Sequence, residues 1–127
     1  MAETKKNLTL DANDVGQIII LPDVINHIAL IAALEQDDVA TVGTDISRDL
    51  VKKHAVKNVN KSVRTEIRED DSLSVDLAVS LDFGSSIPTV VPQVQEKVKT
   101  TVENMTGLQV TDVNVRVIGV STAEQAD

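Results

Sequence analysis

The apolar periodicity of residues 73–120 changes from two to between three and four, and then back to two. The first part alternates apolar residues, namely Leu73, Val75, Leu77, Val79, Leu81 and Phe83. The polar residues between them are Ser74, Asp76, Ser80 and Asp82. A period of two predicts a half-buried strand with the first set facing a core and the second facing solvent.

The middle part carries the stripe of an amphipathic helix, formed by Val91, Val94, Val98, Val102 and Met105. Proline lacks a backbone N–H and is tolerated in a first helical turn, so Thr89 is expected to be the N-cap and Pro92 the third helical residue. A helix beginning earlier would lose one hydrogen bond and bend. Gly107 suits the left-handed residue that ends a helix, which predicts a helix over 89–106. The period of two then returns at Val113, Val115 and Val117, predicting a second strand.

The N-terminal half predicts a short strand over 17–20, a helix from Pro22 to Glu35 and a strand over 39–42. The helix is apolar nearly all round, with Val24, Ile25, Ile28, Leu30, Ile31 and Leu34 as its large apolar residues. Such a helix is either covered on both sides within the domain or presents a surface that another subunit covers. These six residues are therefore candidates for self-association, with simple burial as the open alternative.

A weaker helix is predicted over 44–54, and alternation at Val63, Thr65 and Ile67 predicts a strand that forms an antiparallel hairpin with the strand at Leu73. Together these elements predict an α+β fold in two layers. We expect a small, mostly antiparallel sheet with two main helices on one face and a short third helix. We expect a flexible tail over 1–14, one domain over 15–120 and a second flexible tail over 121–127.

The composition narrows the class of protein. The chain has 127 residues, enough for one domain, with one Phe, no Trp, no Tyr and no Cys. The shortage of aromatic side chains disfavours base stacking, and the lack of cysteine excludes disulfides and thiolate chemistry and fits a cytosolic protein. The N-terminal residues are too polar for a signal peptide, and the apolar stretch over 24–34 is too short to span a bilayer, so no direct membrane insertion is expected.

The formal net charge is −8, yet six of the twelve basic residues fall between positions 44 and 64. They are Arg48, Lys52, Lys53, Lys57, Lys61 and Arg64. This basic cluster fits a solvated face that pairs with acids elsewhere on the domain or on a neighbouring copy. It also fits a docking surface for an acidic partner, and nucleic acid or anionic lipid is a third possibility.

Candidates for chemistry are few. His27 and His54 are isolated, and the pairs Asp37-Asp38 and Asp70-Asp71 fall in predicted turns, where aspartate bonds the local backbone. Neither acidic pair has further ligands at the spacing of a metal site. We expect no enzyme, no cofactor and no metal.

Residues 15–120 resemble the alkaline-shock, or envelope stress response, family of Gram-positive bacteria. The C-terminal residues that carry the resemblance are Asp82-Phe83-Gly84, Ile87, Val91, Gln95, Val98, the run from Glu103 to Leu108, and the run from Val113 to Val120. The N-terminal ones are Gly16-Gln17-Ile18, Val24-Ile25, Ile28-Ala29 and Ala32-Ala33. The chain departs from the family at Asp38, where relatives often have glycine, and over 42–53, which has one glycine.

The resemblance implies a non-enzymatic cytosolic protein of envelope stress response and cell-wall homeostasis that self-assembles, without catalytic residues to transfer. Some relatives are held near the membrane by a separate membrane-anchored partner. The leading hypothesis is therefore a homo-oligomer that docks on such a partner. The alternatives are a nucleic-acid-binding module that uses the basic cluster, and a ligand-sensing domain with a pocket between the helix over 89–106 and the sheet.

Overall fold

The computed structural model describes residues 8–43, 46–47 and 62–122. The strands within these ranges are β1 (Leu8–Asn13), β2 (Gly16–Ile20), β3 (Val39–Val42), β4 (Val63–Ile67), β5 (Leu73–Asp82) and β6 (Val110–Ser121). The helices are α1 (Pro22–Glu35) and α2 (Ile87–Thr106). The predicted α+β class with two main helices is confirmed.

The four-stranded sheet is built around β5. Strands β3 and β4 pair antiparallel with β5, and β6 pairs parallel with it over nearly its full length. Since β6 occupies one edge of β5, β3 and β4 share the other edge, with β4 beside residues 73–77 and β3 beside residues 79–81. The predicted antiparallel β4–β5 hairpin is confirmed. Its turn is held by the Asp70 carboxylate, which accepts the N–H and the hydroxyl of Ser72 at 3.0 and 2.7 Å.

Alternate residues of β5 form the centre of the core, and the fully buried ones are Leu73, Val75, Leu77, Val79 and Leu81. The same apolar cluster contains buried residues of both helices, so α1 and α2 pack on that side of β5. The prediction for Phe83 was wrong. Phe83 follows the last residue of β5 and is 76% exposed.

The opposite face of β5 is less open than its alternation predicts. Ser74, Ala78 and Ser80 are buried, and Asp76 and Asp82 are exposed. A strand paired along both edges has neighbouring side chains on each side, which cover small residues between them. The predicted solvent face is therefore exposed at its carboxylates and closed at its small residues.

Helix α2 begins three residues earlier than the predicted N-cap at Thr89 implies. Ser86 is the N-cap and Pro88 lies in the first turn, so Pro92 is inside the helix. The Val90 N–H already donates to the Ser86 carbonyl at 2.8 Å, so the ladder has begun before Pro92 interrupts it. At the other end Gly107 is left-handed, with φ of 74°, and its N–H donates to the Glu103 carbonyl, as predicted.

The buried stripe of α2 also differs from the predicted one. It runs through Val90, Val94, Val98, Val102 and Thr106. Val91 is partly buried against the core, and Met105 is 65% exposed. Thr106 is accommodated because its hydroxyl donates to the Val102 carbonyl and accepts the Leu108 N–H. A buried polar group with both of its hydrogen bonds made costs little, which is why threonine replaces methionine in the core.

Three other predictions concern the ends and the middle of the chain. Residues 8–13, assigned to an N-terminal tail, form β1 and pair antiparallel with β2 around the turn at Asp14-Val15. Ser121, assigned to a C-terminal tail, is the last residue of β6. The short third helix over 44–54 is not shown. Most of that range lies outside the described residues, and Ile46 pairs with Val42 through two backbone hydrogen bonds of 2.8 and 3.1 Å.

Candidate interaction surface

Helix α1 presents two apolar sides. One side belongs to the core and carries Ile25, Ala29, Leu30, Ala32, Ala33 and Leu34. Asn26 is also buried, and its side-chain oxygen accepts the Thr65 hydroxyl of β4 at 2.7 Å, which satisfies the amide oxygen there. Thus the helix is anchored to the sheet by both apolar packing and a buried hydrogen bond.

The other side of α1 faces outward. Val24, Ile28 and Ile31 follow the spacing of four and three that places side chains on one helix face. Val24 and Ile31 are exposed, and Ile28 is half-buried. The six predicted self-association residues are therefore divided: Ile25, Leu30 and Leu34 are in the core, and the other three lie outside it.

Strand β2 and the residue before α1 also expose large apolar side chains. Ile18 is 51% exposed and Ile19 54% exposed, and Leu21 at the start of α1 is exposed as well. Successive residues of a strand point to opposite faces, so both faces of the β1–β2 hairpin are apolar at these positions. The exposed apolar residues on the two faces of β2 and on the outer side of α1 are together called the β2–α1 surface, and they are Ile18, Ile19, Leu21, Val24 and Ile31.

The predicted strand over 17–20 is confirmed as β2, but the exposure of its isoleucines was not predicted. The signal for it was present in the uncharged run over 15–21 and in the turn residues Asp14 and Gly16 that precede the isoleucines. Gly16 has φ of 151° and pairs with Asn13 across a two-residue turn. Alternation in residues 8–11 followed by such a turn predicts a β-hairpin. A hairpin at this position would have indicated that the isoleucines of β2 lie on a solvent-exposed strand.

The basic cluster is described at one residue. Arg64 is exposed on β4 and lies directly opposite Asp76 of β5 in the sheet register. Asp76 also accepts the side-chain amide of Asn114 on β6 at 2.7 Å. This places Arg64 in a row of polar side chains across the sheet. The other members, Arg48, Lys52, Lys53, Lys57 and Lys61, lie outside the described residues.

The polar side chains with the best-defined contacts support the fold. The pKa of Glu103 is lowered by the hydrogen bond from the Lys99 ammonium and by a second one from the Val110 N–H. The pKa of Asp70 is lowered by its two bonds from Ser72. Each carboxylate accepts hydrogen bonds from groups that are near it in the sequence, an arrangement that fixes a turn.

The described residues form no cluster that could bind a metal. In the ranges that the structure describes, no three His, Asp or Glu side chains come together to hold a metal ion. A depression lies beside the β4–β5 turn and is lined by Glu66, Ile67, Arg68, Glu69 and Asp70. This depression does not lie between α2 and the sheet, where a pocket was predicted and where Val94, Val98 and Val102 are fully buried in the core.

In the part of the chain that the structure describes, neither α1 nor α2 combines the length and apolar character that crossing a bilayer requires.

Comparison with known proteins gives the family. The sequence profile of the Asp23 family, described as having a cell envelope-related function, matches residues 11–122. Here Asp23 is the family's name and not residue 23 of this chain.

Two relatives agree with this match. The uncharacterized protein YqhY of Bacillus subtilis (strain 168) is 35% identical over 115 residues, covering 89% of this chain and 84% of YqhY. The uncharacterized protein Spy1535 of Streptococcus pyogenes serotype M6 (strain ATCC BAA-946 / MGAS10394) is 30% identical over 106 residues, covering 84% and 80%. No solved structure matches the chain significantly. The expected resemblance is confirmed, and the chain belongs to the Asp23, or alkaline-shock, family of proteins with a cell envelope-related function.

Proposed function

We propose that this protein is a non-enzymatic cytoplasmic component of cell-envelope homeostasis and stress response. It acts by self-association and by docking on a membrane-anchored protein partner. The family's description supports the envelope role. The observation that carries self-association is the β2–α1 surface, a set of large apolar side chains exposed on a strand and the helix that follows it.

The β2–α1 surface comes from one continuous segment, residues 18–31. Scattered exposed apolar residues are ordinary on soluble proteins, but several in one continuous segment suggest a binding surface. Covering such a surface removes apolar area from water, at about 25 cal/mol per Å². This supports association with another protein surface.

Charge favours a protein partner over a polyanion. No charged residue occurs over 15–21, and the flanking residues Asp14 and Asp23 are acidic. With a net charge of −8, the chain is repelled by anionic lipid and by nucleic acid at long range. An uncharged surface bordered by acids can pair with a similar apolar surface, and this supports self-association as the first use of it.

The non-enzymatic part of the proposal rests on how the chain uses its polar residues. Asn26, Asp70, Glu103 and Thr106 each make hydrogen bonds that hold two elements or a turn together. Catalysis requires reactive groups that converge on a shared space. The structural use of these four polar side chains supports a role in packing and contact.

Light scattering over a concentration series tests this function. The wild-type mass should exceed that of a monomer and rise with concentration. Replacing Ile31 by Lys puts a charge on the β2–α1 surface and should shift the protein toward monomer. Ile118→Lys is the matched control, because Ile118 is exposed to a similar degree on β6, and it should leave the mass unchanged.

A second experiment, crosslinking in native cells followed by capture of the protein, identifies a membrane partner. A wild-type chain that stays monomeric at high concentration and recovers no membrane protein by crosslinking contradicts the proposal.

A further inference from the structure

We infer that β2 pairs edge to edge and antiparallel with β2 of a second copy, giving a continuous four-stranded sheet in the order β1-β2-β2-β1. The inference rests on the proposed self-association and names the strand that performs it. It starts from the position of β2 at the edge of a sheet that has two strands.

The hairpin is small for a sheet that stands alone. Strand β2 pairs with β1 through Leu8–Ile20, Thr9–Ile19 and Leu10–Ile18. Within the described ranges no other strand pairs with β2, so its second edge offers backbone N–H and C=O groups over residues 17–20. A two-stranded hairpin is marginally stable in water unless further strands or packing against a helix support it, and in β2 it is Ile20 that packs against the core.

The sequence of β2 lacks the features that protect an edge. Proteins usually place lysine, proline or a bulge on exposed edge strands, because an open edge is a template for another chain. Residues 17–20 read Gln-Ile-Ile-Ile, with no charge and no proline, and isoleucine strongly favours extended backbone. The edge is thus suited to receiving a strand.

A second copy of β2 fits this edge because the strand is complementary to itself. A two-fold axis through Ile18 sets Ile18 against its own counterpart, Gln17 against Ile19, and Gly16 against Ile20. No charged residue meets another within the paired strands, and adjacent isoleucines add cross-strand contacts. The flanking acids Asp14 and Asp23 make an anionic surface a worse occupant, and the strand has no acidic side chain to select a basic partner.

Single cysteines test the pairing directly, since the natural chain has none. The variants Gln17→Cys, Ile18→Cys and Ile19→Cys place one thiol each along β2, and Ile118→Cys is the matched control on exposed β6. Residues opposite each other in antiparallel strands have Cα atoms about 4.5–5.5 Å apart, within the range that a disulfide bridges. Oxidised glutathione is the added oxidant. Each disulfide that forms consumes two thiols, and one oxidised glutathione accepts their two electrons and two protons to give two reduced glutathiones.

We expect one position of the three, Ile18 for a centred axis, to form covalent dimer at least about tenfold faster than Ile118→Cys. If Gln17 or Ile19 is fastest instead, edge pairing still holds with a shifted axis. Comparable rates at all three positions indicate parallel pairing in register and overturn the antiparallel arrangement.

Scattering on the same samples separates this inference from the proposed function. If oligomers are present and none of the three positions exceeds the control, the interface lies elsewhere and the inference alone fails. If the protein is monomeric throughout, both fail.

Discussion

The carboxylate of Glu103, in the last turn of α2, accepts the backbone N–H of Val110, the first residue of β6, at 3.0 Å. The Lys99 ammonium lies on the same corner, donating to Glu103 at 2.8 Å and to the Val110 carbonyl at 3.3 Å. Together with the left-handed Gly107 between them, these bonds set the point where the chain leaves the helix and enters the strand. The corner positions β6 beside β5.

Replacing Glu103 by Gln should lower the free energy of unfolding at neutral pH. The folded-state pKa of Glu103 lies below its unfolded value, so its ionised form stabilises the fold above about pH 4.3. That contribution is lost as the pH falls through the folded pKa, so the gap between wild type and variant should narrow below about pH 4. Urea unfolding from pH 7 to pH 3 measures it. Glu96→Gln on the same helix is the control, and a pH-independent gap at position 103 would contradict the assignment.

Removing Pro92 should stabilise the protein. Alanine restores the hydrogen bond from residue 92 to the Pro88 carbonyl and relieves the ring contact, for a gain of up to about 3 kcal/mol. Pro88 lies in the first turn, where no bond is lost, so Pro88→Ala should be destabilising by under about 1 kcal/mol. Urea midpoints compared at unchanged slope give both values. A Pro92→Ala variant no more stable than wild type would indicate a helix that begins after position 88.

Glycine at position 38 should also stabilise the fold. Asp38 has φ of 76°, a left-handed conformation that glycine adopts without strain. The gain for Asp38→Gly is expected to be up to about 1 kcal/mol, since aspartate tolerates this region better than most residues. Asp37→Gly makes the same change of charge one residue earlier and should be neutral or destabilising. Equal thermal shifts in the two variants would show that charge, not backbone conformation, decides the effect.

The core and the single aromatic residue should respond differently to truncation. Leu77 is fully buried at the centre of β5, so Leu77→Ala should cost about 2–5 kcal/mol. Phe83 is 76% exposed, so Phe83→Ala should change stability by less than about 0.5 kcal/mol. Chemical denaturation measures both. A loss of about 3 kcal/mol or more for Phe83→Ala, as expected of a buried phenylalanine, would contradict its position.

Local periodicity predicted most of the elements because each depends on neighbouring residues. The bounds of α1, the strand over 39–42, the β4–β5 hairpin and the Gly107 helix end were all correct. Alternation in β5 correctly identified its core face. A strand shows as apolar residues at every second position and a helix as apolar residues at every third or fourth position. Both patterns can be seen in the sequence alone.

The predictions failed at positions whose structure is determined by contacts between residues distant in the sequence. Thr106 took the buried position expected for Met105 because backbone partners at Val102 and Leu108 satisfied its hydroxyl. Phe83 lies beyond the end of β5, although alternation assigns it to the core. The position of a strand's end and the partners of a polar side chain depend on the assembled fold, which a local pattern does not contain.

Only part of the β2–α1 surface was predicted, because it too depends on contacts between residues distant in the sequence. Apolar content all round α1 left burial and oligomer contact equally open, and packing against α2, β4 and β3 decided which side is buried. The isoleucines of β2 were predicted as a strand, but its pairing with β1 was missed. The basic cluster, apart from Arg64, lies outside the described residues, and its role stays a prediction.

Sedimentation velocity over a concentration series at low and high salt tests the central claim most directly. We propose that the apolar β2–α1 surface joins chains that each carry a net charge of −8. Salt screens the repulsion between such chains, so association should strengthen as salt rises. The predicted result is a mass that grows with concentration and grows more at high salt. Association that weakens with salt would assign contact to the basic cluster instead, and a monomer under all conditions would contradict self-association itself.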